Sequence, residues 1–183
     1  LTPTFTTDWF TRAIPEWQEH VVPRIAKIPD AKWLEIGCYE GRSTLWTLEN
    51  VLRGPRSSIT CVDPWCSYYA KNLASNLAGI DRITHLKGKS LNILPSVPSE
   101  SFHGAYIDGS HIEPDISFDL QEGWRLLKPG AILIIDDYGL PGEPGEGQVK
   151  QATDAFLRKH ESHLKILSKK YQVILLKDPI PRS

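Results

Sequence analysis

Five consecutive aliphatic residues, Ala131-Ile132-Leu133-Ile134-Ile135, followed at once by Asp136-Asp137, constrain this chain more than any other stretch. The run has no polar alternation, so a strand built from it must be covered on both faces. That is the condition of a central parallel strand flanked by helices. The aspartates that end it carry a solvation cost beside an apolar core unless they are paired or hold a cation.

The rest of the chain supplies the helices and strands such an interior requires. Periodicity predicts a strand over 32–36, a helix over 42–53 with Leu45, Leu48 and Leu52 on one face, and a strand over 58–62 that ends at Asp63. A helix near 69–79 and a strand over 83–87 lead to the turn Gly88-Lys89-Ser90, then to a short helical or irregular stretch closing at Pro95 and Pro98. A strand over 103–107 ends at Asp108, and the helix after it, about 114–127, is stopped by Lys128-Pro129-Gly130. Beyond the aliphatic run, residues 139–147 are rich in glycine and proline and are expected to form a mobile loop, with Glu143 and Glu146 solvated. A helix to about His160 and two strands, 163–168 and 171–177, finish the chain as an antiparallel hairpin. This order describes an α/β, doubly wound, mostly parallel sheet with helices on both faces. Ligands of such sheets sit beyond the carboxyl ends of the strands, a rule that gathers Glu35, Asp63, Ser90, Asp108, Asp136 and Asp137 on one rim.

At 183 residues the chain suits one domain, with 1–30 as an N-terminal helical cap and 31–183 as the core. The cap mixes aromatic and aliphatic residues with Pro15, Pro23 and Pro29, and can serve either as a packing arm or as a roof over a substrate site. Lys and Arg number 21 against 22 Asp and Glu, which leaves no electrostatic footprint for nucleic acid. Cys38, Cys61 and Cys66 lack metal or C-x-x-C spacing, and no apolar run approaches the roughly 20 residues of a membrane span. The expectation is a soluble, cytoplasmic, reduced protein. It begins at Leu1 and contains no methionine, so upstream sequence is expected. A homodimer is left open.

The stretch Trp33 to Thr44 reads as strand, glycine turn and helix start. Glycines let the backbone turn and approach a ligand, and the free N–H groups of a helix start attract a carboxylate or phosphate. A nucleoside triphosphate loop is excluded because G-x-x-x-x-G-K-[ST] is missing. A dinucleotide fingerprint is disfavoured, since Tyr39 stands between Gly37 and Gly41 and Glu35 occupies a position that is usually neutral. Asp63 ends the second strand, 28 residues after Glu35, where a carboxylate can accept both hydroxyls of a ribose. An adenosine moiety fits.

From about Trp9 onward the chain resembles the class I S-adenosylmethionine-dependent methyltransferases, with their Rossmann-like sheet. It resembles more closely still the metal-dependent O-methyltransferases of catechol and caffeoyl type, through Glu35, Gly37, Tyr39, Gly41 and Ser43 in the pattern Glu-x-Gly-x-Tyr-x-Gly-x-Ser. The resemblance implies that Glu35 and Ser43 help hold the methionine end of the cofactor, Asp63 the ribose and Ser90 the adenine edge. It implies Asp108, Asp136 and Asp137 as metal ligands, and three carboxylates suit Mg²⁺. The catechol group often has an amide where this chain has Asp137. The macrolide-sugar O-methyltransferases are more similar there, and share the Asp-x-x-His of Asp108-Gly-Ser-His111. His111 is then the candidate base, and a hydroxylated small molecule the candidate substrate. A metal-independent methyltransferase, a non-catalytic binder of the cofactor and, last, an NAD-dependent oxidoreductase are the competing readings.

Overall fold

The computed structural model describes residues 2–140 and 147–178. Positions 141–146 of the glycine- and proline-rich segment, with Glu143 and Glu146, lie outside the described residues, so the expected mobile loop is not addressed by it.

Two short helices, α1 (Ile14–His20) and α2 (Val22–Ile25), precede the sheet. Then follow β1 (Lys32–Ile36), α3 (Arg42–Asn50), β2 (Ser58–Asp63), α4 (Ala70–Asn76), β3 (Ile83–Lys87), α5 (Ser90–Ile93), β4 (Phe102–Ile107), α6 (Asp115–Leu126), β5 (Leu127–Ile135), α7 (Gln148–His160), β6 (Leu164–Lys169) and β7 (Val173–Lys177). The seven strands lie in the order β3-β2-β1-β4-β5-β7-β6, with β5–β7 and β7–β6 antiparallel and the other pairs parallel. The doubly wound sheet with its terminal hairpin is as expected from the alternation. Strand order reverses between β1 and β4, the point where such sheets open a crevice for ligand.

The aliphatic run behaves as its lack of alternation requires. Ala131, Leu133 and Ile135 join the core on the α6–α7 side, while Ile132 and Ile134 join the core on the α3–α4 side. β5 begins earlier than expected, at Leu127, because that residue pairs with Phe102 before the register shifts between Phe102 and Gly104. The Lys128-Pro129-Gly130 segment therefore bends a strand instead of separating helix from strand. α3 ends at Asn50, short of the expected 53, where the Arg82 guanidinium donates to the carbonyls of Leu48 and Leu52.

The N-terminal segment packs into the core, and Thr7, Trp9, Phe10 and Arg12 of it also line a cavity. Phe10, Ala13, Trp17, Val21 and Ile25 are buried in the α3–α4 core, with Trp17 completely enclosed. The Trp17 ring packs within 6 Å of Phe10, Trp33, Trp46 and Tyr106 by centroid. Its Nε1–H donates to Gln172 Oε1 at 2.8 Å, and so ties the cap to the loop between β6 and β7. The residues just before it reach over the carboxyl ends of the strands. No helix among the described residues is long and apolar enough to cross a membrane.

Truncating an enclosed aromatic leaves a cavity as well as losing its transfer energy. Trp17→Ala is expected to lower the unfolding free energy by about 3–5 kcal/mol, read from urea denaturation. A loss below about 1 kcal/mol would show that the cap is not part of the core.

Candidate active site

β1 leaves the sheet at Gly37, whose φ of +84° and position against β4 admit only glycine: a Cβ would stand 1.9 Å from the Asp108 carbonyl oxygen. The turn runs through Tyr39, also at positive φ (47°), to Gly41, which caps α3 in the left-handed conformation. Asp63 at the end of β2 holds this turn from below. One of its oxygens accepts the N–H of Cys38 at 2.8 Å and of Tyr39 at 3.3 Å; the other accepts Trp65 N–H at 2.7 Å and the Tyr69 hydroxyl at 2.5 Å. The carboxylate expected to meet a ribose is thus already engaged by the protein on both oxygens.

Glu35 is placed differently from the expectation. It does not face the cavity but lies fully buried beneath the turn, where Ser43 and Thr44 hydroxyls both donate to it, Thr44 at 2.6 Å. It fixes the first turn of α3, and Ser43 is the member of the pair that lines the cavity. Burial pushes Glu35 up to about 7 against the pull of those two hydroxyls. Cys38 and Cys61 share this pocket of buried polar atoms; burial raises the Cys38 thiol, and at Cys61 the lowering hydrogen bond with Cys38 is outweighed by burial and the charge of Glu35, so that thiol is raised too.

The second half of the site lies at the ends of β4 and β5. Asp108, His111 and Asp137 bring one ligand atom each within 4.8 Å of one another, and His111 Nε2 lies 2.9 Å from Asp137 Oδ2. The expected trio of carboxylates is only partly assembled. Asp136 stands outside that cluster, with one oxygen taken by the Tyr106 hydroxyl and the other by the N–H of Asp137 at 2.8 Å. Tyr106 also reaches Asp108, at 3.1 Å, so a single phenol spans the two acids. Burial, then the charges of Asp136 and Asp137, push Asp108 well above the carboxylate range; burial and Asp137 raise Asp136 as well. Burial acts the same way on Asp137, but hydrogen bonds from His111 and Tyr171 outweigh it and hold that group low. Three carboxylates with too little positive charge among them, beside one imidazole, form a donor set that suits a hard or borderline divalent cation.

Both halves face one cavity of about 680 Å³, lined by Gly37, Tyr39, Ser43, Asp63, Ser90, Asp108, His111, Asp136 and Asp137 among others. That volume is within the usual range for a small-molecule site. Ser90 is hydrogen-bonded to Asp119, whose carboxyl is pushed up to about 6 mainly by burial. Several lining residues gave no signal in the sequence. Glu40 is buried and binds Thr6 through its N–H at 2.6 Å and its hydroxyl at 2.9 Å, drawing the N-terminal arm across the turn. Arg12 and Tyr171 come from opposite ends of the chain and meet beside Asp137. Tyr106 was readable only in part, as the residue two before Asp108 on an apolar strand.

A family model described as a methyltransferase domain matches residues 34–138. A protein of Mycolicibacterium vanbaalenii named "Putative O-methyltransferase" is 27% identical over 136 residues, which are 73% of this chain and 59% of that protein. The chain therefore spans about three-fifths of the length of that curated relative. Among solved structures, the O-methyltransferase TomG of Streptomyces achromogenes, involved in tomaymycin synthesis and bound to S-adenosylmethionine, superposes with a TM-score of 0.64 at 21% identity, covering 94% of this chain and 91% of its own. The O-methyltransferase of Bacillus cereus, bound to S-adenosylhomocysteine, gives 0.66 at 16% identity over 90% and 81%.

The buried Glu35 makes stability depend on pH. With its native value near 7 and an ordinary value of 4.5, the folded chain binds more protons than the unfolded one between those limits. Its contribution is full below pH 4.5 and lost as pH rises through 7. Glu35→Gln should gain stability relative to the parent by up to about 3 kcal/mol between pH 4 and pH 8, measured by denaturant titration at each pH. A difference that does not vary with pH would contradict this assignment.

Proposed function

The chain belongs to the methyltransferase-domain family, and from that premise we propose that it transfers a methyl group from S-adenosylmethionine to a hydroxyl of a small molecule, assisted by a divalent cation such as Mg²⁺. One observation carries the reading: a glycine turn suited to the donor and a cluster of Asp108, His111 and Asp137 open into the same cavity.

In this reading the turn from Gly37 to Gly41 and the first N–H groups of α3 receive the methionine end of the donor, helped by Ser43. Asp63 accepts from the ribose in place of Tyr69, and Ser90 meets the adenine edge. Glu35 works from behind, by orienting Ser43 and Thr44. Asp108 and Asp137 would hold the cation, with Asp136 adding charge behind them. The cation, when bound, supplies Lewis acidity that lowers the pKa of an acceptor hydroxyl. His111 takes the hydroxyl proton, and Asp137 orients its ring and stabilises the imidazolium that forms. The acceptor oxygen bonds to the methyl carbon as the carbon–sulfur bond breaks, its electron pair staying on sulfur as S-adenosylhomocysteine forms. In-line attack needs both partners held close and water kept out, a task for Phe10 and Trp9 of the cap, which line the cavity.

A second reading keeps the donor and omits the metal. It is favoured by the engagement of both Asp136 oxygens within the protein, which takes that acid out of a cation's reach and leaves Asp108 to accept from substrate.

His111→Ala is expected to lower kcat by about 10²- to 10⁴-fold while calorimetric affinity for S-adenosylhomocysteine stays within twofold. Loss of cofactor affinity in parallel would remove His111 from the proton-transfer role. Treatment with EDTA should abolish turnover and added Mg²⁺ restore it; turnover indifferent to chelation selects the second reading.

A further inference from the structure

The cavity holds one guanidinium that the proposed methyl transfer does not use. Arg12 lies on the single helical turn Thr11–Ala13, between Phe10 and Ala13, which are both anchored in the core. Its side chain is 52% exposed, and its guanidinium carbon sits 3.6 Å from the centroid of the Tyr171 ring. That ring is itself fixed, since the Tyr171 hydroxyl donates to Asp137 Oδ1. The nearest acid is the same oxygen, 3.9 Å from Arg12, beyond hydrogen-bond distance.

This placement is not explained by the ion pair. With Arg12 half exposed and the separation beyond hydrogen-bond distance, that pair contributes little, and Asp137 already has His111 and Tyr171. The other cations of the cavity wall differ from Arg12. Arg42 is spent on Asp8 at 2.7 Å and on Thr11, and Lys89 stands next to Ser90 at the end assigned to adenosine. Arg12 makes no hydrogen bond among the described residues. A guanidinium held by its face on an aromatic ring keeps its N–H edges for an acceptor, and their fork matches a carboxylate.

Resting on the methyl-transfer reading, we propose that Arg12 forms an anion subsite that selects hydroxylated acceptors bearing a carboxylate. His111 and Arg12 approach opposite oxygens of one carboxylate, Asp137, so one small molecule can present its hydroxyl to His111 and its carboxylate to Arg12. The subsite also offsets the repulsion that Asp108, Asp136 and Asp137 would exert on an anionic acceptor.

Calorimetric titration of the protein saturated with S-adenosylhomocysteine and Mg²⁺ tests this, with 3,4-dihydroxybenzoate and 3,4-dihydroxyphenylacetate against catechol, which lacks the carboxylate. The parent is expected to bind at least one carboxylate about 10-fold or more tighter than catechol. Arg12→Ala should remove that preference, and Arg12→Gln, which keeps the bulk over Tyr171, should remove it too. The comparison is between ligands on one protein, so a general loss of stability cannot imitate it. No preference in the parent, no binding of either carboxylate, or a preference that survives in both variants overturns the subsite. Should the carboxylates bind as expected while none of the three compounds accepts a methyl group from S-adenosylmethionine, the subsite stands and the methyl-transfer reading is what fails.

Discussion

The approach of Gly37 to the Asp108 carbonyl joins the two halves of the site, and the remaining geometry follows from it. A Cβ at position 37 would stand 1.9 Å from that oxygen, so the turn after β1 and the end of β4 can touch only because the residue is glycine. Ser43, in the first turn of α3, and Asp108 then line the same cavity. The parallel pairing of β1 with β4, Ile36 opposite Ile107, sets both at the same height. A glycine turn and an acid cluster that are far apart in the chain thereby come to share one cavity.

The carboxylates around this junction are treated in different ways by the fold. Asp63 is saturated with donors and works as a brace for the turn. Glu35 is enclosed, and burial drives it toward its neutral form despite two hydroxyl donors. Asp108 and Asp136 sit near each other and near Asp137, where burial and mutual repulsion disfavour ionisation of the pair. A cation at the proposed site would relieve that repulsion, whereas Asp63 is satisfied by its four donors and Glu35 by its two hydroxyls. The network continues outward from Tyr106 to Gln172 and Trp17, so the cap is coupled to the acids by hydrogen bonds as well as by packing.

Much of this was legible in the chain because local chemistry dictates it. The unbroken aliphatic run of β5, the glycines at 37 and 41 and the acids at strand ends each point to one structural solution, and the sheet order agrees with them. What was not legible arises from distant segments meeting. Nothing local to Arg12, Glu40 or Tyr171 marks them as cavity residues; they become so because the N-terminal arm and the β6–β7 turn fold over the strand ends. The inward turn of Glu35 was hidden for another reason. Its position at the end of β1 is compatible with facing either ligand or core, and the hydroxyls of Ser43 and Thr44 decide for the core. Likewise, the split between Asp136 and Asp137 follows from the left-handed backbone at Asp137 (φ 56°), which an acid pair in sequence does not reveal.

The proposed reaction requires methyl donor and divalent cation to occupy one cavity, side by side. Its most direct test is a crystal structure of the protein soaked with S-adenosylhomocysteine and Mn²⁺, with the ion located by anomalous scattering. The expected result is the cofactor along the Gly37–Gly41 turn and a single strong anomalous peak bound by Asp108 and Asp137. A cofactor bound outside this cavity, or a cavity with cofactor in place and no anomalous peak at those carboxylates, would contradict it.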